Sequence, residues 1–286
     1  MDVAIIEAPK KCIVCNSVPE WIVWNELQLL RCPSCDLVWQ RKFQTHAEYY
    51  ASEAYGFDDG NMAARVRNTE DRVQELASVM PLDDLCDVGA YEGTFVESLK
   101  TAGYTNVWGI EPSPAAAAYG VARGLDLVVG TLEERMADVQ AHHTKTITLF
   151  HVVEHLEEPK KALQDIFAML PQGGYVVLET PTTESPVLKA KHYKDKLIYA
   201  EHLFYFNEFN LTSLLAHTGF TVISTTRRDF DMHYMPVGES LTRLGWPTYR
   251  IIRALARPFK RMLSELAIKR GRLNYMLVIA QKSSTS

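Results

Sequence analysis

Three groups of residues carry chemistry in this chain. Four of its five cysteines fall into two knuckles, Cys12-x-x-Cys15 and Cys32-Pro33-Ser34-Cys35, separated by sixteen residues. Each knuckle presents two thiolates, and two of them at this separation spell a tetrahedral zinc site in which Cys12, Cys15, Cys32 and Cys35 share one structural Zn2+. Two disulfides, or four unrelated thiols, are the alternatives; the lack of a secretory pattern favours the metal. The fifth, Cys86, sits in an apolar run and reads as a buried, inert thiol.

The second group begins where that run ends. Leu85-Cys86-Asp87-Val88-Gly89-Ala90-Tyr91-Glu92-Gly93-Thr94-Phe95 is a strand, a glycine turn and the start of a helix, the form of a nucleotide site. Glycine lets a ligand approach the backbone, and the free N–H groups of the helix that follows favour anionic groups. A dinucleotide fingerprint would place glycines at 89, 91 and 94, but Tyr91 and Thr94 stand there, which argues against NAD. The next strand, 106–110, ends at Glu111, 22 residues beyond Gly89, where a carboxylate can accept both hydroxyls of a ribose. The third group is rich in histidine: Phe150-His151-Val152-Val153-Glu154-His155-Leu156, and further on Ile198-Tyr199-Ala200-Glu201-His202-Leu203-Phe204-Tyr205-Phe206. The latter has no regular period and many functional side chains, as an active-site loop does.

Asp87-x-Gly89-x-x-x-Gly93, Gly109-Ile110-Glu111-Pro112-Ser113 and the segment from Phe150 to Leu156 together resemble the class I S-adenosylmethionine-dependent methyltransferases. The resemblance implies an α/β, Rossmann-like fold with a seven-stranded, mostly parallel sheet, and S-adenosyl-L-methionine as cofactor. It implies that Asp87, Gly89, Ala90, Gly93, Thr94 and Phe95 shape the methionine side, Glu111 and Pro112 the ribose, and Leu132 and Glu133 the adenine edge. His151, Val152 and His155 would line the floor between cofactor and acceptor, with a capping imidazole as the alternative for His155. A tyrosine pair precedes the core in that family and reaches the methionine end of the cofactor. Tyr50, of Tyr49-Tyr50, takes that contact here, or else packs on the core. The aminomethyltransferase signature Asn/Asp-Pro-Pro-aromatic does not follow the fourth strand, which argues against N-methylation of nucleic-acid adenine or of glutamine.

On the acceptor side, the loop resembles small-molecule O-methyltransferases and, more closely, zinc-ribbon deoxysugar C-methyltransferases, whose loop reads Tyr-x-Glu-His-x-x-Tyr-Phe. Tyr199, Glu201, His202, Tyr205 and Phe206 match, and the resemblance extends through about residue 230. It implies a catalytic group of His202, Glu201, Tyr199 and His151, with His202 as general base; a histidine that braces the loop is the alternative. The acceptor expected is a small molecule, a sugar, a nucleotide sugar or another hydroxylated or keto metabolite, methylated on oxygen or carbon. An RNA base methyltransferase gripping RNA with the ribbon, and a non-catalytic cofactor-binding protein, are the competing readings.

The elements that must position these groups follow from patterning. Short aromatic and aliphatic runs around Asn25-Glu26 make residues 1–44 a zinc ribbon, and residues 45–81 read as a helical connector and cofactor lid, with an amphipathic helix over 61–80 stopped by Pro81. From residue 82 to 286, strands at 84–89, 106–110, 126–129, 146–150 and 174–179 alternate with helices at 93–102, 114–123, 132–140 and 158–170, which is how a parallel sheet covered on both faces is written. A helix at 207–218 and strands at 220–229 and 275–281 complete the domain.

The insertion at 235–272 carries nine Lys and Arg against Glu239 and Glu265, interleaved with apolar residues. Residues 241–272 are therefore a candidate peripheral membrane or subunit contact, with a solvated basic face as the alternative. A net charge of −5 and a charge-balanced ribbon argue against a nucleic-acid partner. No leader-like or spanning apolar run is evident, so cytoplasmic residence is expected.

Elemental analysis of freshly prepared protein is expected to find zinc held by the four knuckle cysteines, one ion for the quartet. Substituting Cys12 and Cys35 by serine should release it, and disulfides among these cysteines would end this reading.

Overall fold

The computed structural model describes residues 5–44, 62–185, 188, 193, 198–228 and 274–283. Thirteen strands and six α-helices run in order β1 (Ile5–Glu7), β2 (Glu20–Trp24), β3 (Leu27–Arg31), β4 (Val38–Gln40), β5 (Lys42–Gln44), α1 (Met62–Ala77), β6 (Leu85–Val88), α2 (Thr94–Thr101), β7 (Val107–Glu111), α3 (Pro114–Ala122), β8 (Leu127–Val129), α4 (Met136–Ala141), β9 (Thr146–Phe150), α5 (Pro159–Met169), β10 (Tyr175–Pro181), β11 (Phe204–Tyr205), α6 (Glu208–His217), β12 (Thr221–Arg228) and β13 (Tyr275–Gln281). Among the described residues, a 3₁₀ turn, Val153–His155, follows β9. Among the described residues no helix is long and apolar enough to cross a membrane.

Seven strands form the main sheet in the order β12-β13-β10-β9-β6-β7-β8. The pairings of β6 to β10 are parallel, and β13 is antiparallel to both neighbours. Strand order reverses beside β6, whose parallel neighbours are β7 on one side and β9 on the other, so the crevice outside their carboxyl ends is where a ligand belongs. Fully buried β6, with Leu85 and Cys86 inaccessible, explains why that strand reads as a continuous apolar run around one acid.

Close packing at the β6–β7–β8 edge depends on small residues. Gly120 in α3 faces the loop before α2: a Cβ there would lie 2.9 Å from the Glu92 carbonyl oxygen and against the Leu127 side chain. Gly109 in β7 would set a Cβ 2.6 Å from that of Ala90. These contacts draw the glycine turn down onto the sheet.

The ribbon is built from two matching turns. In each, a Cys N–H bonds to a carbonyl five residues on, Cys12 to Ser17 and Cys32 to Leu37, and the residue after the second cysteine adopts left-handed φ, Asn16 at 63° and Asp36 at 58°. Asn and Asp tolerate that conformation best after glycine. The sulfurs converge: Cys12 to Cys35 is 3.5 Å, Cys15 to Cys32 3.3 Å and Cys15 to Cys35 3.9 Å. Four thiolates at zinc-ligand bond length around one tetrahedral ion stand about 3.8 Å apart, and a disulfide needs about 2 Å. The residues therefore fit a metal and do not form disulfides.

The ribbon shares a sheet and a core with the rest of the chain. Its sheet runs β11-β4-β3-β2, and β11 enters it from the chain that follows β10 of the main sheet. The Cys35 carbonyl accepts from both Asn207 and Asn210, the capping pair of α6, and one apolar core contains Cys12, Cys32, Trp39 and Phe43 together with Leu149, Leu178 and Phe206. Residues 45–61 and 229–273, with Tyr50, the first part of the expected connector and lid (45–81) and the basic insertion, lie outside the described residues.

Helix propensity alone would make Gly120→Ala stabilising by about 1 kcal/mol. Overpacking against a backbone carbonyl outweighs this, so a net loss of about 1–3 kcal/mol is expected in urea unfolding. A more stable variant would show that the α3 contact yields.

Candidate active site

A cleft of about 730 Å³ opens at the carboxyl ends of β6, β7, β8 and β9, a volume suited to a drug-sized or nucleoside ligand. Gly89, Tyr91, Glu111, Pro112, Leu132, Glu133, Val152 and His151 form one end and floor; His155, Tyr199, Glu201 and Leu203 form the other. Gly89 turns the chain at the tip of β6 with φ 75°, and a Cβ there would meet Val152 at 2.6 Å. Tyr91 also takes left-handed φ, 52°, and its N–H donates to Glu111 Oε2 at 2.7 Å, while the Ser113 N–H donates to Oε1 at 2.8 Å. Glu111 is thus buried and aimed by two backbone donors; burial raises its pKa and those donors oppose the rise.

Asp87, Ala90, Gly93, Thr94 and Phe95, expected to touch the cofactor, are buried and support the wall from behind. Gly93, φ 79°, turns the chain into α2; the Thr94 hydroxyl donates to Glu92, and Phe95 packs edge-on against Phe150. Asp87 accepts the Thr148 hydroxyl at 2.6 Å across the β6–β9 pairing. Burial pushes its pKa up to about 7, against the opposing Thr148 bond.

The histidines separate by environment. His151 ends β9 in left-handed φ, 57°, a conformation that costs a non-glycine residue on the order of 1–3 kcal/mol. Glu179 holds it there: the His151 N–H donates to the Glu179 carbonyl at 2.8 Å, and Nε2 lies 3.1 Å from Oε1. Burial alone would lower its pKa, but Glu154 and Glu179 override this and push it up to about 9. Both ring nitrogens of His151, a residue expected in the catalytic group, thus face carboxylates in the cleft floor, Glu154 and Glu179. His155 lines the cleft, and its Nδ1 donates to the Glu201 carbonyl at 2.8 Å, since a carbonyl can only accept. In the neutral ring the lone pair then sits on Nε2.

His202 is not on the cleft wall. It is 3% exposed, lies under the Tyr199 ring with centroids 4.0 Å apart, and directs Nε2 at Glu154 Oε1, 4.0 Å away. Tyr199 and His155, whose rings both pack against His202, are the cleft-lining residues beside it.

Sequence reading missed Gln40. Its Nε2 donates to the carbonyls of Ala200 and His202, the latter at 2.8 Å, and its N–H to that of Leu203 at 2.9 Å, so the ribbon fastens the acceptor-end wall. It gave no role to Glu154, although the histidine-rich segment contains it, or to the pair Arg72–Glu179, whose members lie 107 residues apart.

A family model described as "Methyltransferase domain" matches residues 59–225, more than half of the chain. The chain belongs to this methyltransferase family. Its fold is shared with a SAM-dependent methyltransferase from Archaeoglobus fulgidus (17% identity, 76% of this chain and 94% of that one, TM-score 0.52). The same holds for a possible histamine N-methyltransferase from Thermotoga maritima (17%, 82% and 99%, TM-score 0.53). Magnesium protoporphyrin IX methyltransferase from Synechocystis with bound SAH is similar at 13% identity over 83% of this chain and 98% of that one, TM-score 0.51. No curated protein matches significantly. This methyltransferase is an S-adenosylmethionine-dependent enzyme.

The raised pKa of Asp87 predicts a sign. The folded state binds the extra proton between the ordinary pKa of about 4 and about 7, so this contribution is full at low pH and is lost as pH rises through 7. Asp87→Asn should remove it, gaining up to about 4 kcal/mol on wild type at pH 8 and little at pH 4. Urea unfolding of both proteins at the two pH values checks this; a pH-independent difference would refute it.

Proposed function

We propose that this methyltransferase acts on a small molecule, a sugar, nucleotide sugar or other hydroxylated or keto metabolite, and methylates its oxygen or carbon. The observation that carries the reading is a cleft of about 730 Å³ lined both by Glu111 and by Tyr199, Glu201 and His155. Such a volume takes the cofactor and a small acceptor side by side.

The residues present fit S-adenosyl-L-methionine, which when bound supplies an electrophilic methyl group on a sulfonium. Glu111 keeps lone pairs beyond the two used by backbone N–H groups and takes the ribose hydroxyls. Pro112, Leu132 and Val152 give apolar surface to the nucleoside, with Glu133 at the adenine edge. Tyr199 and Glu201 orient the acceptor through hydroxyl and carboxylate hydrogen bonds, and Leu203 helps to exclude water. Alignment of the reactants in a dry, preorganised site then supplies much of the acceleration.

The ribbon's arginines speak against an RNA grip. Arg31 pairs with Glu20 and Asp36, and Arg41 lies over the Trp21 ring, 4.0 Å from its centroid. An RNA-binding ribbon presents uncommitted cations and open aromatics.

Glu111→Ala should weaken S-adenosylmethionine binding by about 2 kcal/mol in calorimetry, the scale for lost charge-assisted hydrogen bonds; unchanged affinity would refute the placement. In a labelled-methyl screen, uptake is expected with nucleotide sugars or related metabolites. Uptake by RNA alone would overturn the small-molecule reading.

A further inference from the structure

Beneath the acceptor end of the cleft, three side chains from two separate segments bring donor atoms together. Glu154 and His155 belong to the 3₁₀ turn after β9, and His202 to the stretch before β11; one donor atom from each lies within 4.8 Å of the others. Glu154 is the anomaly. It is 1% exposed, and neither carboxylate oxygen has a hydrogen-bond partner, although His151 Nδ1 and His202 Nε2 approach Oε1 to 3.6 and 4.0 Å. The neighbouring histidines, His151 first, favour its charged form, and its oxygens keep lone pairs that no hydrogen bond uses.

The histidines are arranged as ligands. His155 gives its Nδ1 proton to a backbone carbonyl, the outer contact that metal-bound imidazoles make, which fixes Nε2 as the coordinating atom. His202 already directs Nε2 at the carboxylate. Ligands on one ion with bonds near 2.1 Å stand about 3.0–3.4 Å apart, so side-chain rotations of under about 1 Å close the set. His155 alone of the three lines the cleft, which leaves the open side of the set toward the acceptor.

We propose that Glu154, His155 and His202 bind a divalent transition-metal ion, separate from the one held by the cysteine knuckles, with open positions facing the cleft. Two imidazoles and one carboxylate with vacant positions are a donor set for such ions. The binding stands on these residues alone; the role rests on the small-molecule reading above. In that role the ion grips the acceptor oxygen. A hydroxyl held there ionises near neutral pH, its proton passing to water. The oxygen lone pair forms the new bond to the methyl carbon, the carbon–sulfur pair stays on sulfur, and one proton is released per methyl transferred.

The test uses the full chain with zinc in its knuckles, titrated with Mn2+ and followed by the loss of the free-ion electron paramagnetic resonance signal. One Mn2+ per chain is expected, with spin-echo modulation from two imidazole nitrogens. Glu154→Gln and His202→Gln should each weaken uptake at least tenfold, with S-adenosylmethionine affinity within about twofold of wild type. The proposal is overturned if folded wild type takes up neither Mn2+ nor Co2+ beyond its zinc, if bound Mn2+ shows no nitrogen coupling, or if both variants bind as wild type does. Should the variants fail to fold, the wild-type spectrum decides. Binding is read without any acceptor, so a failed sugar screen and a failed metal titration are distinguishable.

Discussion

Glu179 is the buried charge on which the floor of the site depends. Its side chain is inaccessible, yet Arg72 from α1, Arg228 from β12 and His151 from β9 all converge on it, with Arg228 Nη1 at 2.9 Å and Arg72 Nε at 3.1 Å. Burial alone would favour the protonated acid; the Arg72 charge and the His151 bond overcome this and hold the carboxyl near 2. A lone carboxylate in that position would be strongly destabilising, whereas one with three partners becomes a junction. Arg228 also pairs with Glu75 in α1, so the helix and the sheet edge are tied to the same point. This junction lets His151 keep a backbone conformation that its side chain opposes, and so fixes where the 3₁₀ turn begins.

Much of this was legible in the sequence because parallel sheets write themselves locally. The first five strands of the main sheet and all but one of the expected helices begin within two residues of the expected positions, since each buries a short apolar run bounded by turn residues. The helix expected from 132 starts at Met136: Thr131 and Glu134 bond each other's backbone and make a turn first. Glu111 was legible because strand end and spacing coincide. The position of His202 was not, because its neighbours Glu154 and Tyr199 are placed by tertiary packing. Arg72 and Glu179 lie 107 residues apart, and Gln40 and His202 162 apart; no period or propensity reports such pairs.

The knuckles have a structural reach that their spacing does not advertise. Asn207 and Asn210 cap α6 reciprocally through their side-chain oxygens, and each donates one side-chain N–H to the Cys35 carbonyl. The second knuckle, the start of α6 and the strand between them are therefore one unit, and the acceptor-end wall leads straight into it. A ribbon that only decorated the domain would leave these amide groups to solvent.

The pairing of β4 with β11 has a consequence for the order of synthesis. On the ribosome, the cysteines and the β2–β3–β4 meander are complete about 160 residues before Phe204 emerges, an interval of roughly 10–30 s at ordinary elongation rates. Throughout it the nascent ribbon carries β4 as an unpaired edge, open to strand addition from any neighbouring chain. The site is finished only when the polypeptide returns to the fold it began with.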